Sequence, residues 1–381
     1  MDPTLLVVVV VATALVFDFT NGFHDTANAM ATSIATGALR PKTAVALSAV
    51  LNLAGAFLSI EVAKTISSGL VDDSKVGPAI VFGGLIGAII WNLFTWFVGL
   101  PSSSSHALFG GLIGATWVAA GSDSVHFAKI LDKVLLPAVA SPVIAGTVAM
   151  TATFLLYRYL RRRKGEQTAT GFRVGQIISA SLVSLAHGTN DAQKTMGIIT
   201  LTLISSGTLA PGSAPPTWVI ISAALALALG TYLGGWRITY TLGKGLTDIE
   251  GPQGFTAQTS SAAVILVSSN LGFPLSTTHV CSGGVLGSGV GRRGAPVRWG
   301  LAGRMVIAWL FTLPAAAVVG AVAGKLTSLG TGGTIGVGIG GILFGVGIYL
   351  LSRRKPVTAH SFHVPEPSAP GAEPASPRLA A

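Results

Sequence analysis

The sequence predicts an all-α polytopic membrane protein made of two inverted-topology repeats, with broken or re-entrant helices and about 11–12 membrane segments. Three observations predict it. Half of the 381 residues are hydrophobic and only 10% are charged, where soluble domains carry about 25% charged residues. Apolar runs long enough to cross roughly 30 Å of hydrocarbon, about 20 helical residues each, recur along the chain; alternating strand-like patterning is absent, which argues against a barrel. Motifs of the first half also return in the second.

Apolar segments fall at 4–17, 26–38, 43–60, 79–100, 106–121 and 135–157, and then at 174–187, 192–206, 217–235, 258–272, 279–290 and 303–324, with an extra one at 333–351. The resulting division is a first repeat at 1–157, a basic cytoplasmic connector at 158–173, a second repeat at 174–326, an extra C-terminal transmembrane helix at 327–352 and a tail at 353–381. The tail is proline-rich and polar, with the composition of a disordered cytoplasmic segment. The net charge of +10 sits in short loops between apolar segments, a topology signal rather than a nucleic-acid surface. One cysteine, Cys281, excludes an intrachain disulfide and a multi-cysteine metal site. The N-terminal run to Phe17 carries Asp2 and no preceding basic residue, so it reads as a retained helix rather than a signal peptide.

Two motif pairs define the duplication. Gly22-Phe23-His24-Asp25-Thr26-Ala27-Asn28-Ala29-Met30 returns 166 residues later as Gly188-Thr189-Asn190-Asp191-Ala192-Gln193-Lys194-Thr195-Met196. Pro101, Ser102–Ser105, His106, Gly110, Gly111 and Gly114 return at an offset of 173 as Pro274, Leu275-Ser276-Thr277-Thr278, His279, Gly283, Gly284 and Gly287. Loop charges then set the orientation. Placing 40–42, 158–173, 237–244, 292–304 and 353–355 inside collects 17 Lys and Arg, against 5 in the loops at 61–78, 122–133, 205–216 and 325–332. The halves are therefore antiparallel. An odd number of crossings must separate Met1 from Arg40, and a broken helix at the first motif, or a helix plus a re-entrant piece, would supply it; the same holds for 174–206.

An ionised carboxylate at membrane depth is costly, so Asp25 and its repeat Asp191 read as functional. In a helix Asp25 and Asn28 share a face, as do Asp191 and Lys194, and oxygen ligands at that spacing suit a hard cation or a proton. Capping of broken helices is the plainer alternative for each Asp. The hydroxyls of Ser103, Ser104 and Ser105, and of Ser276, Thr277 and Thr278, precede glycine-rich helices whose N-termini offer free amides and a positive dipole, the makings of an anion site; N-capping is again the plainer alternative. His106 and His279 follow as donors, proton carriers or satisfied interior histidines. Carboxylates repel an anion, so Asp25 and Asp191 must hold what neutralises it, and symport is the natural chemistry.

These motifs resemble the inorganic phosphate transporter (PiT) family, bacterial low-affinity Pit type. The likeness runs through Asn21 to Ala29, Trp91-Asn92, Pro101 to His106, His187 to Asp191, Pro274 to His279 and Ala308 to Ala316, nearly the whole chain apart from the tail. It implies import of inorganic phosphate with coupling protons or sodium, Asp25 and Asp191 at the coupling-ion site and the hydroxyl tips around phosphate. It also implies a homodimer, a multi-pass place in the plasma or bacterial inner membrane, no further cofactor, and for the bacterial type a divalent metal travelling with phosphate. The site so read sets Asn21, Asp25 and Asn28 against Asn190, Asp191 and Lys194 across a pseudo-two-fold axis. Two positions depart from the wider family, which commonly has Asn at His24 and at Lys194. A lysine at a sodium-ligand position repels sodium and can pair with Asp191 or phosphate, which favours protons; alternatively Lys194 snorkels to the interface. A sulfate or other oxyanion symporter fits the same donors. An intramembrane hydrolase using Ser103, Ser104 or Ser105 with His106 fits poorly, since adjacent residues rarely align as nucleophile and base and neither His-Glu-x-x-His nor Gly-x-Ser-x-Gly occurs.

Overall fold

Helix boundaries follow local signals. In the structure, a computed structural model describing residues 2–162 and 169–361, helix α1 (Pro3–Ala35) starts with Pro3 in its first turn, and the Asp2 carboxylate accepts from the Leu5 amide. Then follow α2 (Pro41–Gly55), α3 (Glu61–Gly69) and α4 (Pro78–Val98), the last closed by Gly99 at φ 71°. Helix α5 (Ser104–Ala120) is capped by Ser103, and α6 (Phe127–Ile130) runs through a π-turn at Leu131–Leu135 into α7 (Leu136–Arg162). The second series is α8 (Ala169–Ser205), α9 (Thr217–Leu233), α10 (Trp236–Tyr240), α11 (Gly251–Asn270), α12 (Thr277–Gly291) and α13 (Trp299–Thr327), with α14 (Thr331–Ser352) after it. Arg163 and Lys164 of the basic connector, and the tail beyond residue 361, lie outside the described residues.

The two series pack reciprocally. Helix α1 lies against α9 and α2 against α8, while α5 lies against α13 and α12 against α7. Glycine makes the close approaches possible: a Cβ on Gly22 would collide with the Leu227 carbonyl, and one on Gly188 with the Asn52 backbone. Likewise Gly114 abuts the Ala317 carbonyl and Gly287 the Gly146 carbonyl. Each closing helix carries an interior proline, Pro142 in α7 and Pro314 in α13. Asp18 lies by Thr195, and a little further along α1 Asp25 lies by His187, so α1 and α8 run antiparallel. Two isolated bridges repeat the relation, Val71 with Val125 and Thr247 with Val297.

Among the described residues α1, α4, α6 with α7, α13 and α14 are long and apolar enough to cross a membrane, and α9 with α10 forms an apolar pair bent by 59°, a broken span or a re-entrant loop. A break of the expected kind is therefore present, but not where the first motif suggested. Helix α1 runs unbroken through Asp25 and α8 through Asp191. One continuous α1 meets the odd-crossing requirement, and the caps proposed for Asp25 and Asp191 fall away, since both are mid-helix. The polar residues are tolerated because partners from α5 and α12 reach them.

Candidate functional site

Asp25 and Asp191 are both essentially inaccessible, at 2% and 0% relative exposure. The first turns of α5 and α12 converge on them. Ser104 Oγ donates to Asp25 Oδ2 at 2.9 Å. Thr277 Oγ1 lies 3.3 Å from Asp25 Oδ2 and 3.2 Å from Asp191 Oδ2, joining the carboxylates. Thr278 Oγ1 approaches Asp25 Oδ1 at 3.4 Å, and the Asn28 amide donates to Thr278 Oγ1 at 3.0 Å. Two helix N-termini aimed at one place add positive dipole ends to these donors.

His24 Nδ1 lies 2.6 Å from Asp25 Oδ1, and its Nε2 faces Thr95 Oγ1 at 3.3 Å and Ser102 Oγ at 3.4 Å. Lys194, wholly buried, pairs with Asp191 Oδ1 on the preceding turn. It does not snorkel. His187, to which the sequence reading gave no role, stands between the carboxylates, its Nε2 2.9 Å from Asp191 Oδ2 and 4.0 Å from Asp25 Oδ2. The signal was present, because the offset of 166 sets His187 opposite Asn21. Asp18 was also missed; it is fully buried beside Thr195.

Other expected residues take different positions. Ser103 and Ser276 cap their helices, accepting from the His106 and His279 amides at 3.1 and 3.2 Å. Ser105 Oγ donates to the Leu275 carbonyl at 3.1 Å. None of the three serines before His106 bonds an imidazole ring, so no nucleophile and base are paired there. Asn190 is turned to Ser269 Oγ at 2.9 Å, whereas both polar side-chain atoms of Asn21 lack a partner among the described residues. His106 and His279 lie behind the hydroxyl tips with ring centroids 4.8 Å apart. His279 Nδ1–H donates to the Ala138 carbonyl at 3.2 Å, and its ring stacks on Trp309.

The buried charge is unbalanced. Asp25 and Asp191 share one ammonium, Lys194, with the imidazoles of His24 and His187 beside them. Carboxylates so far from water need positive charge beside them. One nitrogen or oxygen from each of Asp25, His187 and Asp191 lies within 4.8 Å of the others, a spacing that can hold a metal ion.

Comparison with known proteins agrees with this architecture. A family model described as the phosphate transporter family matches residues 21–320. The chain is 58% identical to a probable low-affinity inorganic phosphate transporter of Mycobacterium bovis (strain ATCC BAA-935 / AF2122/97), covering 92% of this chain and 85% of that protein. It is 45% identical to a protein so described from Rhizobium meliloti (strain 1021), covering 84% and 97%. A solved structure described as the sodium-dependent phosphate transporter shares the fold with a TM-score of 0.75 at 24% identity, covering 85% of this chain and 99% of that one. With duplicated motifs meeting at one buried cluster and relatives that are transporters rather than enzymes, this multi-pass membrane chain belongs to the phosphate transporter family.

Proposed function

We propose that the chain imports inorganic phosphate by symport with protons. The observation that carries the coupling ion is the pairing of Lys194 with Asp191 at the position where the first half has Asn28. A tethered ammonium fills the place of a bound cation there and repels sodium. Asp25 and Asp191 share one ammonium, Lys194, and the negative charge left over is what a coupling proton would neutralise, with the His187 imidazole placed between the two carboxylates to carry it. Ser104, Thr277 and Thr278 donate to Asp25 now, and once the carboxylates are neutralised those donors and the two helix N-termini turn to phosphate. In the cell membrane the loops at 40–42, 158–173, 237–244, 292–304 and 353–355 then face the cytoplasm, on the side of the C-terminal tail.

The grouping of Asp25, His187 and Asp191 within 4.8 Å supports a second reading, in which phosphate moves as its neutral divalent-metal complex. Reconstituted vesicles separate the two. Under an imposed pH gradient without sodium, labelled phosphate should accumulate, and Asp25→Asn or Asp191→Asn should abolish it. A strict sodium requirement would overturn proton coupling. Full uptake in metal-free buffer with chelator would exclude the metal complex, and inhibition by equimolar sulfate without inhibition by arsenate would overturn phosphate itself.

A further inference from the structure

On the side of α12 away from helix α11, an apolar cleft of about 820 Å³ runs between α7, α12 and α13. Its outer wall is open, with Val139, Val143 and Leu310 each more than 60% exposed. At the far end of the same groove lies a second hollow of about 310 Å³, lined by Phe154, Tyr157, Arg158, Arg161, Arg162 and Arg293. The two follow one another along both helices. Met150 lines the first and Phe154, one turn on, the second; Val290 lines the first and Gly291, the next residue, the second.

The basic end has charge to spare. Arg292 is taken up by Glu250, but among the described residues no carboxylate pairs with Arg158, Arg161, Arg162 or Arg293. Arg293 is held with its guanidinium 5.5 Å from the Phe154 ring centroid, over the point where apolar and basic parts meet. An arginine cluster at a membrane interface attracts phosphate esters. The eleven-residue rise of α7 from Phe154 back to Val143 spans about 16 Å, roughly one leaflet of a hydrocarbon core about 30 Å thick, which brings an acyl chain to Val143.

We propose that this amphipathic groove binds one anionic phospholipid, its phosphodiester among Arg158, Arg161, Arg162 and Arg293 and an acyl chain along α7 and α12. The lipid chain then lies behind the helix whose first turn carries Thr277 and Thr278. Charge complementarity selects an anionic headgroup over a zwitterionic one, and the apolar continuation selects a lipid over a free phosphate ester.

Native mass spectrometry of the full chain in detergent, titrated with phosphatidylglycerol, phosphatidylcholine of the same chains, or glycerol phosphate, tests this. One lipid should bind, with phosphatidylglycerol at least tenfold tighter than phosphatidylcholine. Combined Arg158→Ala, Arg161→Ala and Arg293→Ala should erase that preference. Val290→Trp, which keeps every arginine and plugs the neck at a residue 44% exposed, should weaken phosphatidylglycerol binding at least tenfold with an unchanged melting temperature. Equal binding of the two lipids, glycerol phosphate binding as tightly as the lipid, or a dimer mass that Val290→Trp converts to monomer would each overturn the proposal.

Discussion

His187 Nε2 lies 2.9 Å from Asp191 Oδ2, one turn further along the same helix. Because the same nitrogen also faces Asp25 across the helix pair, His187 is, among the described residues, the one imidazole that reaches both carboxylates. His187→Asn, which gives the second half the residue type of Asn21, should reduce pH-driven phosphate uptake by about 10- to 100-fold, the usual loss when an ion-site partner is removed. Wild-type uptake in that variant would remove His187 from the mechanism.

Lys194 separates two further outcomes. Lys194→Ala leaves Asp191 without its buried ammonium and should cost about 3–5 kcal/mol of stability, read as a lowered unfolding temperature in detergent. Lys194→Asn restores the residue type of the first half, and a sodium gradient should then drive uptake that a pH gradient alone drives poorly. If sodium has no effect in Lys194→Asn, this residue does not choose the coupling ion.

The hydroxyls divide by register. Ser103→Ala and Ser276→Ala should each lose about 1 kcal/mol, as expected for a helix cap, with uptake largely kept. Ser104→Ala and Thr277→Ala, which take a donor from a buried carboxylate, should instead lose most uptake, with about 1–3 kcal/mol of stability. The reverse pattern, seen by pairing transport assays with thermal unfolding, would contradict the assignment of caps and ligands.

Close backbone contact makes a fourth expectation. Gly287→Ala places a methyl group against the Gly146 carbonyl and should cost about 1–3 kcal/mol by overpacking. The matching Gly114→Ala, against Ala317, should behave alike. Unfolding temperatures equal to the unsubstituted protein would show that the seam can relax.

The duplication was legible because the residues that meet at the site were kept in kind and spacing: Asp25 with Asp191, Ser104 with Thr277. What the sequence hid depends on neighbours in space. The unbroken path of α1 through Asp25 rests on hydroxyls nearly 80 and 250 residues away. His187 escaped because its counterpart is Asn21, a different residue type. Asp18 escaped because its counterpart at the same offset is Ser184 and its surroundings in the sequence are apolar. Ser103 and Ser104 are chemically identical, and only the point where α5 begins makes one a cap and the other a donor to Asp25.

The exchange of packing partners also governs how the chain is made. Gly110 on α5 abuts Leu313 on α13, some 200 residues later. At about 5–20 residues per second, the glycine face of α5 waits roughly 10–40 seconds after synthesis for its partner. During that interval the first half must be held by lipid or by the insertion machinery, and a chain stalled before α13 would leave α5, which carries Ser104, without the helix that packs along its glycine face.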